Sequence, residues 1–408
     1  MFNKSQLKLL FGAVAIGVAA TLSAPAYAAS ETMTNLLNIL RDKGSISQDE
    51  YDALMHASMA EDKAAQKAAA KQTAKPGWWD STKISGRMYY NMSYINNKRE
   101  GVRQSNSGTG FDIKRFYVSI DHSFSDMFAA DVTTDFTYDS TVGATQLFIK
   151  KAYLEARISD ALNIRLGSTD LPWVPFVEGL YGNRYVENIM IDRTKFGTSA
   201  DWGVHLKGKL NGGMFNYAFS VVNGSGYKHP GVHTNAVDFE GRVSMNWQNF
   251  VLGLGGYYGK LGKDAEGATT YHTAKRFDAV AAYVDQQIRV GVEYFQAWNF
   301  KNVSSAQGDR SNGVSVFASY KFDPMWSVFG RYDYVKPTRG TNSSLKDNYF
   351  NVGVTYSPVK IVDFSLVYKR DKIGDGSWGT ANGTIGGLTA TTGSGTYDEV
   401  GMFGRLRW

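Results

Sequence analysis

Between Thr82 and Trp408 the chain alternates apolar with polar side chains in sixteen short runs, joined by connections that are short and long by turns. The runs fall at about 82–97, 112–124, 127–139, 145–158, 162–168, 199–210, 213–223, 235–248, 249–260, 274–285, 287–299, 312–322, 325–336, 347–357, 361–373 and 396–408. A strand turns successive side chains to opposite faces, so each run offers one apolar face and one polar face. Phe116, Val118 and Ile120 share such a face, as do Phe250, Leu252 and Leu254. Tight connections such as Ser125-Asp126, Asn211-Gly212 and Asp323-Pro324 alternate with polar loops at about 98–111, 140–144, 169–198, 224–234, 261–273, 300–311, 337–346 and 374–395. Short turns on one side, longer loops on the other and an apolar outer face are the features of a barrel that crosses a membrane. The predicted fold is all-β: a sixteen-stranded antiparallel transmembrane β-barrel over residues 78–408, with a short N-terminal helical extension. The competing architecture is a soluble sandwich or solenoid. It has no need of aromatics such as Tyr94, Tyr138, Tyr258 and Tyr334 at strand ends, where a membrane interface favours them.

The two ends of the chain agree with the barrel. In Tyr397–Trp408, Val400, Met402, Leu406 and Trp408 share one face, with Gly404 a gap between them; Glu399, Phe403, Arg405 and Arg407 share the other. An exposed terminal aromatic beside an open strand edge is a liability in water and none in a closed barrel. The segment resembles the terminal strand of bacterial outer-membrane barrels, which the outer-membrane assembly machinery reads as a signal. At the other end, Lys4 and Lys8 precede the apolar run Leu9–Leu22 and then Ala26-Tyr27-Ala28. This is the order of a secretory signal peptide over residues 1–28; the apolar run is shorter than the roughly 20 residues of a spanning anchor.

Residues 30–75 read as helical. Met33, Leu36, Leu37 and Leu40 recur at helical spacing, and Ser47 with Glu50 has the form of a capping box. A helical hairpin acting as a periplasmic tether is expected there; a short trimeric coiled coil or a cell-wall contact is the alternative. Composition excludes other classes. The chain has no cysteine, which removes disulfides and thiolate metal sites. The formal net charge of +6 includes Lys4 and Lys8. What remains is too mild, and too scattered, for nucleic acid.

Sixteen strands enclose a bore too wide for side chains to fill, so a water-filled lumen is expected. The polar faces assign Arg87, Arg115, Lys151, Arg157, Arg165, Lys207, Arg242, Arg289, Arg331, Lys369 and Arg405 to its lining. Many acids share those faces, among them Asp131, Asp135, Glu155, Glu293, Asp333 and Glu399. Loop 169–198 is long and too apolar for water, with Trp173, Phe176, Tyr181, Tyr185, Ile189 and Ile191. Folding inward would bury these against the wall and leave Asp170, Glu178, Arg184, Glu187, Asp192 and Arg193 to narrow the bore. An outer lid or a subunit contact is the alternative use of this loop.

Phe111-Asp112-Ile113-Lys114-Arg115-Phe116-Tyr117-Val118 is similar to the basic-pair strand of the phosphate-selective porin O and P family. So are Lys151-Ala152-Tyr153-Leu154-Glu155-Ala156 and the Leu166-Gly167 and Leu171-Pro172 that lead into the long loop. The resemblance implies a trimeric porin of the bacterial outer membrane whose third outer loop enters the bore. It also implies that Arg115 and Lys151 are remnants of the arginine ladder and lysine cluster of phosphate-selective members. By parity Lys114 points the other way.

Enzyme chemistry finds no support in the motifs. His229 and His233 share a loop without a carboxylate or Cys partner at ligand spacing, so no metal or other cofactor is expected. No serine sits in a nucleophile elbow, and Gly374–Gly395 lacks the Lys-Ser/Thr of a phosphate cradle. A hydrolase whose residues meet across strands is not visible at this level. The expected activity is passive diffusion of small hydrophilic solutes and ions, with a mild anion preference. The alternatives are a phosphate- or anion-selective channel and a structural barrel anchored to the cell wall by residues 30–75. Expected partners are outer-membrane lipid, those solutes or anions, and two further copies of the chain in a homotrimer.

Overall fold

Residues 26–73, 77–139, 142–265, 267, 269 and 271–408 are described by the computed structural model. Most of the expected signal peptide and the break at Pro76 lie outside the described residues. The N-terminal unit holds α1 (Ala26–Asp42) and α2 (Gln48–Thr73). Ser47 and Glu50 make the reciprocal cap: the Ser47 N–H donates to Glu50 Oε2 at 2.8 Å and the Glu50 N–H to Ser47 Oγ at 3.3 Å. The Ser47 N–H holds the Glu50 carboxyl below its ordinary range. Leu37 is buried between the helices, and the Tyr51 hydroxyl donates to Asn38 Oδ1 at 2.8 Å.

The second unit is a closed barrel. Its sixteen wall strands are β1 (Thr82–Arg99), β2 (Gly108–Ser123), β3 (Phe128–Asp139), β4 (Ala144–Ser159), β5 (Leu162–Asp170), β6 (Ala200–Leu210), β7 (Phe215–Val222) and β8 (Asp238–Trp247), followed by β9 (Phe250–Gly259), β10 (Ala274–Val284), β11 (Ile288–Trp298), β12 (Arg310–Lys321), β13 (Trp326–Lys336), β14 (Lys346–Val359), β15 (Val362–Gly374) and β16 (Ser394–Arg407). Each pairs antiparallel with its sequence neighbours, and β16 returns to β1 from Arg407↔Arg87 to Gly395↔Arg99. Closure leaves no edge strand. At the seam the Gly86 N–H donates to the Trp408 carbonyl at 3.0 Å, and the Trp408 N–H returns to Gly86 at 3.2 Å. The Trp408 ring lies over Gly86 and the Tyr90 ring over Gly404, where a Cβ would come within 2.0 Å of either ring. The apolar gap at Gly404 is therefore filled from the neighbouring strand.

Burial follows the period of two, with Val352 and Val354 exposed on β14 while Tyr349 and Asn351 are buried. The register shifts beside two short turns, at Arg157/Ser159 and Tyr356/Val359, and at two bulges within the wall. Tyr89 pairs with Arg115 but Tyr90 with Ile113, so Lys114 is the extra residue in β2. Thr133 pairs with Lys151 but Thr134 with Ile149, which makes Lys150 the extra residue in β4. The short connections are tight: in one, the Asp285 carboxylate accepts from the N–H groups of Ile288 at 2.6 Å and Gln287 at 2.8 Å, which pull its pKa down.

Candidate functional site: the lumen and its long loop

The segment between β5 and β6, residues 171–199, carries two helices of its own. In α3 (Val174–Tyr181) Pro175 stands in the first turn, where its missing N–H costs nothing. Gly182 ends the helix at φ 80°, its N–H on the Glu178 carbonyl at 2.9 Å. A second turn of helix, α4, spans Met190–Arg193. Trp173, Val177, Tyr181, Ile189, Ile191 and Phe196 are buried against the inner faces of β9–β13, on Tyr257, Val280, Phe295, Phe317 and Val335. Tyr185 and Val186 pack on Tyr89, Phe329, Val367 and Phe403. The wall makes room for the loop in β9, whose Leu-Gly-Leu-Gly run points its leucines out. A Cβ on Gly253 would meet the Phe176 ring at 2.7 Å, and one on Gly255 the Trp173 ring at 2.5 Å.

Polar groups lock this contact. Arg193 is fully buried and reaches Asp333 at 3.1 Å, Asp347 at 3.1 Å and Asp371 at 2.8 Å. Lys369 bridges Glu399 at 2.6 Å and Glu187 of the loop at 3.3 Å. The loop's own carbonyls, left without ladder partners, take donors from the wall. Arg242 reaches Pro172 at 2.9 Å, Arg289 reaches Gly179 at 2.9 Å, Arg331 reaches Asn188 at 2.7 Å, Arg276 reaches Phe196 at 2.6 Å and Arg405 reaches Gly182 at 3.4 Å. Trp173 gives its backbone N–H to Glu240 and its indole N–H to Glu293, at 2.9 and 3.0 Å.

These contacts correct part of the expected site. Arg331 and Lys369, expected in water, are buried beneath the loop, and Glu187 and Arg193, expected to narrow the bore, are buried with them. The reason is that a loop laid on a polar inner wall must pair every charge and carbonyl it covers. Asp170 is the last residue of β5 rather than part of the loop. Within the loop, Glu178 and Arg184 do border open space, ion-paired to each other, and Arg184 also approaches Asp192 at 3.7 Å.

That open space is a cavity of about 940 Å³ between the loop, the inner faces of β1–β5 and the short-turn end of the barrel. Arg87, Lys150, Lys151, Arg289 and Arg405 line it, with Lys83, Lys321 and Arg407 toward the turns. Nine basic side chains meet four carboxylates along this lining. Lys151 is neutralised by Asp170 at 2.5 Å, and Arg405 and Arg407 by Asp363 at 2.7 and 3.0 Å. Lys150 instead donates to the Tyr117 hydroxyl at 3.0 Å and lies 4.5 Å from that ring's centre. Arg115 stands 3.6 Å from Asp135. Arg157, Arg165 and Lys207 gather around Glu155 at 2.9, 2.8 and 3.6 Å.

The parity argument fails at the bulges. Lys114 turns into the lumen, its Nζ 3.5 Å from the Val186 carbonyl and 4.9 Å from the Phe403 ring centre. Lys150 was passed over for the same reason. The signal that locates both is a phase change in the apolar frame: Phe111 and Ile113 face out on odd numbers, Phe116 and Ile120 on even ones. Leu147 and Ile149 then give way to Leu154 and Ile158 across Lys150.

No family model matches this chain, and no curated protein does. Solved structures do. The anion-selective porin from Comamonas acidovorans is 14% identical with a TM-score of 0.59, over 80% of this chain and 99% of that one. The trimer form of OmpT, an outer membrane protein of Vibrio cholerae, is 12% identical with a TM-score of 0.55, over 80% and 99%. OmpF of Salmonella typhi, in complex with daunomycin, is 10% identical with a TM-score of 0.52, over 80% and 97%. The likeness is one of fold: this chain has the barrel of the bacterial outer-membrane porins.

Proposed function

We propose that the protein is an outer-membrane porin, a water-filled channel for passive diffusion of small hydrophilic solutes and ions with a mild preference for anions. The observation that carries this is the cavity between the long loop and β1–β5, mostly polar in its lining and richer in cations than in carboxylates. Five of its nine basic side chains, Lys83, Arg87, Lys150, Arg289 and Lys321, make no carboxylate ion pair among the described residues, which leaves net positive potential along the bore. Asp170, Glu178 and Arg184 supply the polar rim, and Arg115, Arg157, Arg165 and Lys207 extend the charged wall. The porin fold supports placement in the outer membrane, and the trimeric form of a structural neighbour supports a homotrimer. Insertion by the outer-membrane assembly machinery and removal of residues 1–28 complete this proposal. No enzyme activity is part of it.

Planar-bilayer recording tests the proposal: stepwise ohmic conductance is expected, with a reversal potential displaced toward the chloride value in a KCl gradient. A clear displacement toward potassium would overturn the anion preference, and no conductance would overturn the channel. The phosphate-selective reading gains one specific observation: both bulges bring a second cation inward, giving the pairs Lys114-Arg115 and Lys150-Lys151. Block of chloride current by phosphate at submillimolar concentration distinguishes it from general diffusion.

A further inference from the structure

The connection between β7 and β8, residues 223–237, turns back onto β6. Gly224 and Gly226 take φ 85° and 78°, a conformation that suits glycine and allows the turn. The Asn223 N–H donates to the Trp202 carbonyl at 3.0 Å, and the Tyr227 N–H to the Ala200 carbonyl at 3.2 Å. The Asp201 carboxylate accepts from the Gly224 N–H at 3.0 Å, and the Trp202 indole donates to the Tyr227 carbonyl at 3.0 Å. Both backbone polar groups of Tyr227 are thus held by β6, so this anchorage does not depend on its side chain.

The Tyr227 ring has a place to go because β5 is short. β5 pairs with β4 only from Ala152 to Ser159, which leaves 144–150 without a ladder on that side. Tyr227 crosses this space and stacks on Phe148, with ring centres 6.0 Å apart and planes at 28°. Phe148 pairs with Asp135 and shares its inward face, where Arg115 stands 3.6 Å from that carboxylate. Lys228 follows into the same place, its Nζ 4.7 Å from the Phe148 ring centre. Lys150 approaches from the short-turn side, 5.8 Å from the Tyr227 ring centre and 4.5 Å from that of Tyr117. Lys228 is exposed and the Phe148 and Tyr227 rings are half-buried. β4 begins at the long-loop end, so Phe148 lies nearer that end than Lys150 and Lys151, which line the cavity.

Neither Lys150 nor Lys228 has a carboxylate ion pair among the described residues; ring faces hold them instead. A ring is negative on its face and positive at its edge, so a bare anion drawn to these lysines is repelled by the faces beside them. An anion with an aromatic body meets no such conflict. Its carboxylate faces the lysines while its ring packs on Phe148 and Tyr227.

We propose that Lys150, Lys228, Phe148 and Tyr227 form an entry station for aromatic carboxylates on the long-loop side of the cavity. The proposal deepens the porin reading and rests on it only for the water-filled bore that brings the ligand in. Residues 223–237 are then a second inward loop, which supplies one ring and one cation of the station.

The test is equilibrium dialysis of the full-length protein in non-ionic detergent at neutral pH, with labelled benzoate, acetate or inorganic phosphate and protein-free micelles as the blank. Benzoate is expected to bind at least about tenfold more tightly than acetate, since its ring adds buried apolar area to the same charge. Tyr227→Leu should remove most of that advantage and leave acetate binding as it was. Lys228→Gln should weaken benzoate and acetate alike, by about fivefold, the effect of one charge at contact distance in water. If Tyr227→Leu does not fold, judged by heat-modifiable electrophoretic mobility, Phe148→Leu takes its place. Equal affinity for benzoate and acetate in the wild type overturns the proposal. So does phosphate binding as tight as that of benzoate, or an advantage for benzoate that survives loss of the ring. Planar-bilayer recording of the same preparations separates the two ideas. Benzoate bound without any current refutes the porin and leaves the station standing; current without a preference for benzoate refutes the station and leaves the porin.

Discussion

The two sides of the lumen are built from the same alternation and end in opposite states. Along β8–β16 the inner face carries Glu240, Asp278, Glu293, Asp333, Asp347 and Asp371, all under 2% exposed because the long loop covers them. Along β2–β6 the inner face carries Arg115, Lys151, Arg157 and Lys207, whose side chains stay 23–47% exposed. A polar inner face is therefore not one kind of surface. Where the loop lies on it, most of these carboxylates share a buried cation, Glu293 accepts instead from the Trp173 indole, and the contact behaves as a core. Where the cavity lies on it, pairs are looser and a net positive charge survives.

The largest expected difference is between ion clusters. Arg193→Ala strands Asp333, Asp347 and Asp371 without their shared cation, and removing one partner of a buried pair costs about 3–5 kcal/mol. Urea unfolding in detergent measures the loss, and single-channel records should show larger, noisier conductance as the loop loosens. A cost under about 1 kcal/mol would mean that the covered side is as wet as the open one.

Overfilling the loop's seat comes next. Gly255→Val pushes a side chain into the Trp173 ring, and a misfit of this kind costs about 1–3 kcal/mol. Tryptophan fluorescence should shift to the red as Trp173 leaves its seat, with conductance rising in parallel. An unchanged spectrum would show that the loop is not held there.

On the open side the effect is on selectivity. Lys150→Glu reverses a charge at the cavity wall and should lower the anion-to-cation permeability ratio about two- to tenfold, read from reversal potentials. An unaltered ratio would place the ion path elsewhere. The smallest effect belongs to Arg157→Gln: its pairing with Glu155 is half-exposed, so stability should move by about 0–1 kcal/mol in the same unfolding assay. A loss as large as that of Arg193→Ala would erase the contrast.

Much of this was legible in the residues. The sixteen strands follow from period-two alternation punctuated by turns, which is local chemistry: each segment shows its two faces to whoever counts them. The terminal Trp408 was legible as an outward aromatic, though its seat over Gly86 was not, because that glycine is more than 300 residues away. Lys114 turns inward against its parity because one extra residue inverts the alternation; Lys150 does so for the same reason, and only the shifted apolar frame betrays either.

Sequence by itself determined the cylinder, the outward grease and most of the inward charge, since a strand's faces follow its own order of residues except where a bulge inverts them. Only the tertiary structure decided which inward charges meet water. Arg193 and Arg184 lie nine residues apart in one loop, yet one is enclosed by three aspartates of distant strands and the other borders the cavity. That outcome belongs to the docking of the loop on β9–β13, where packing, glycine seats and carbonyl partners from many strands act together.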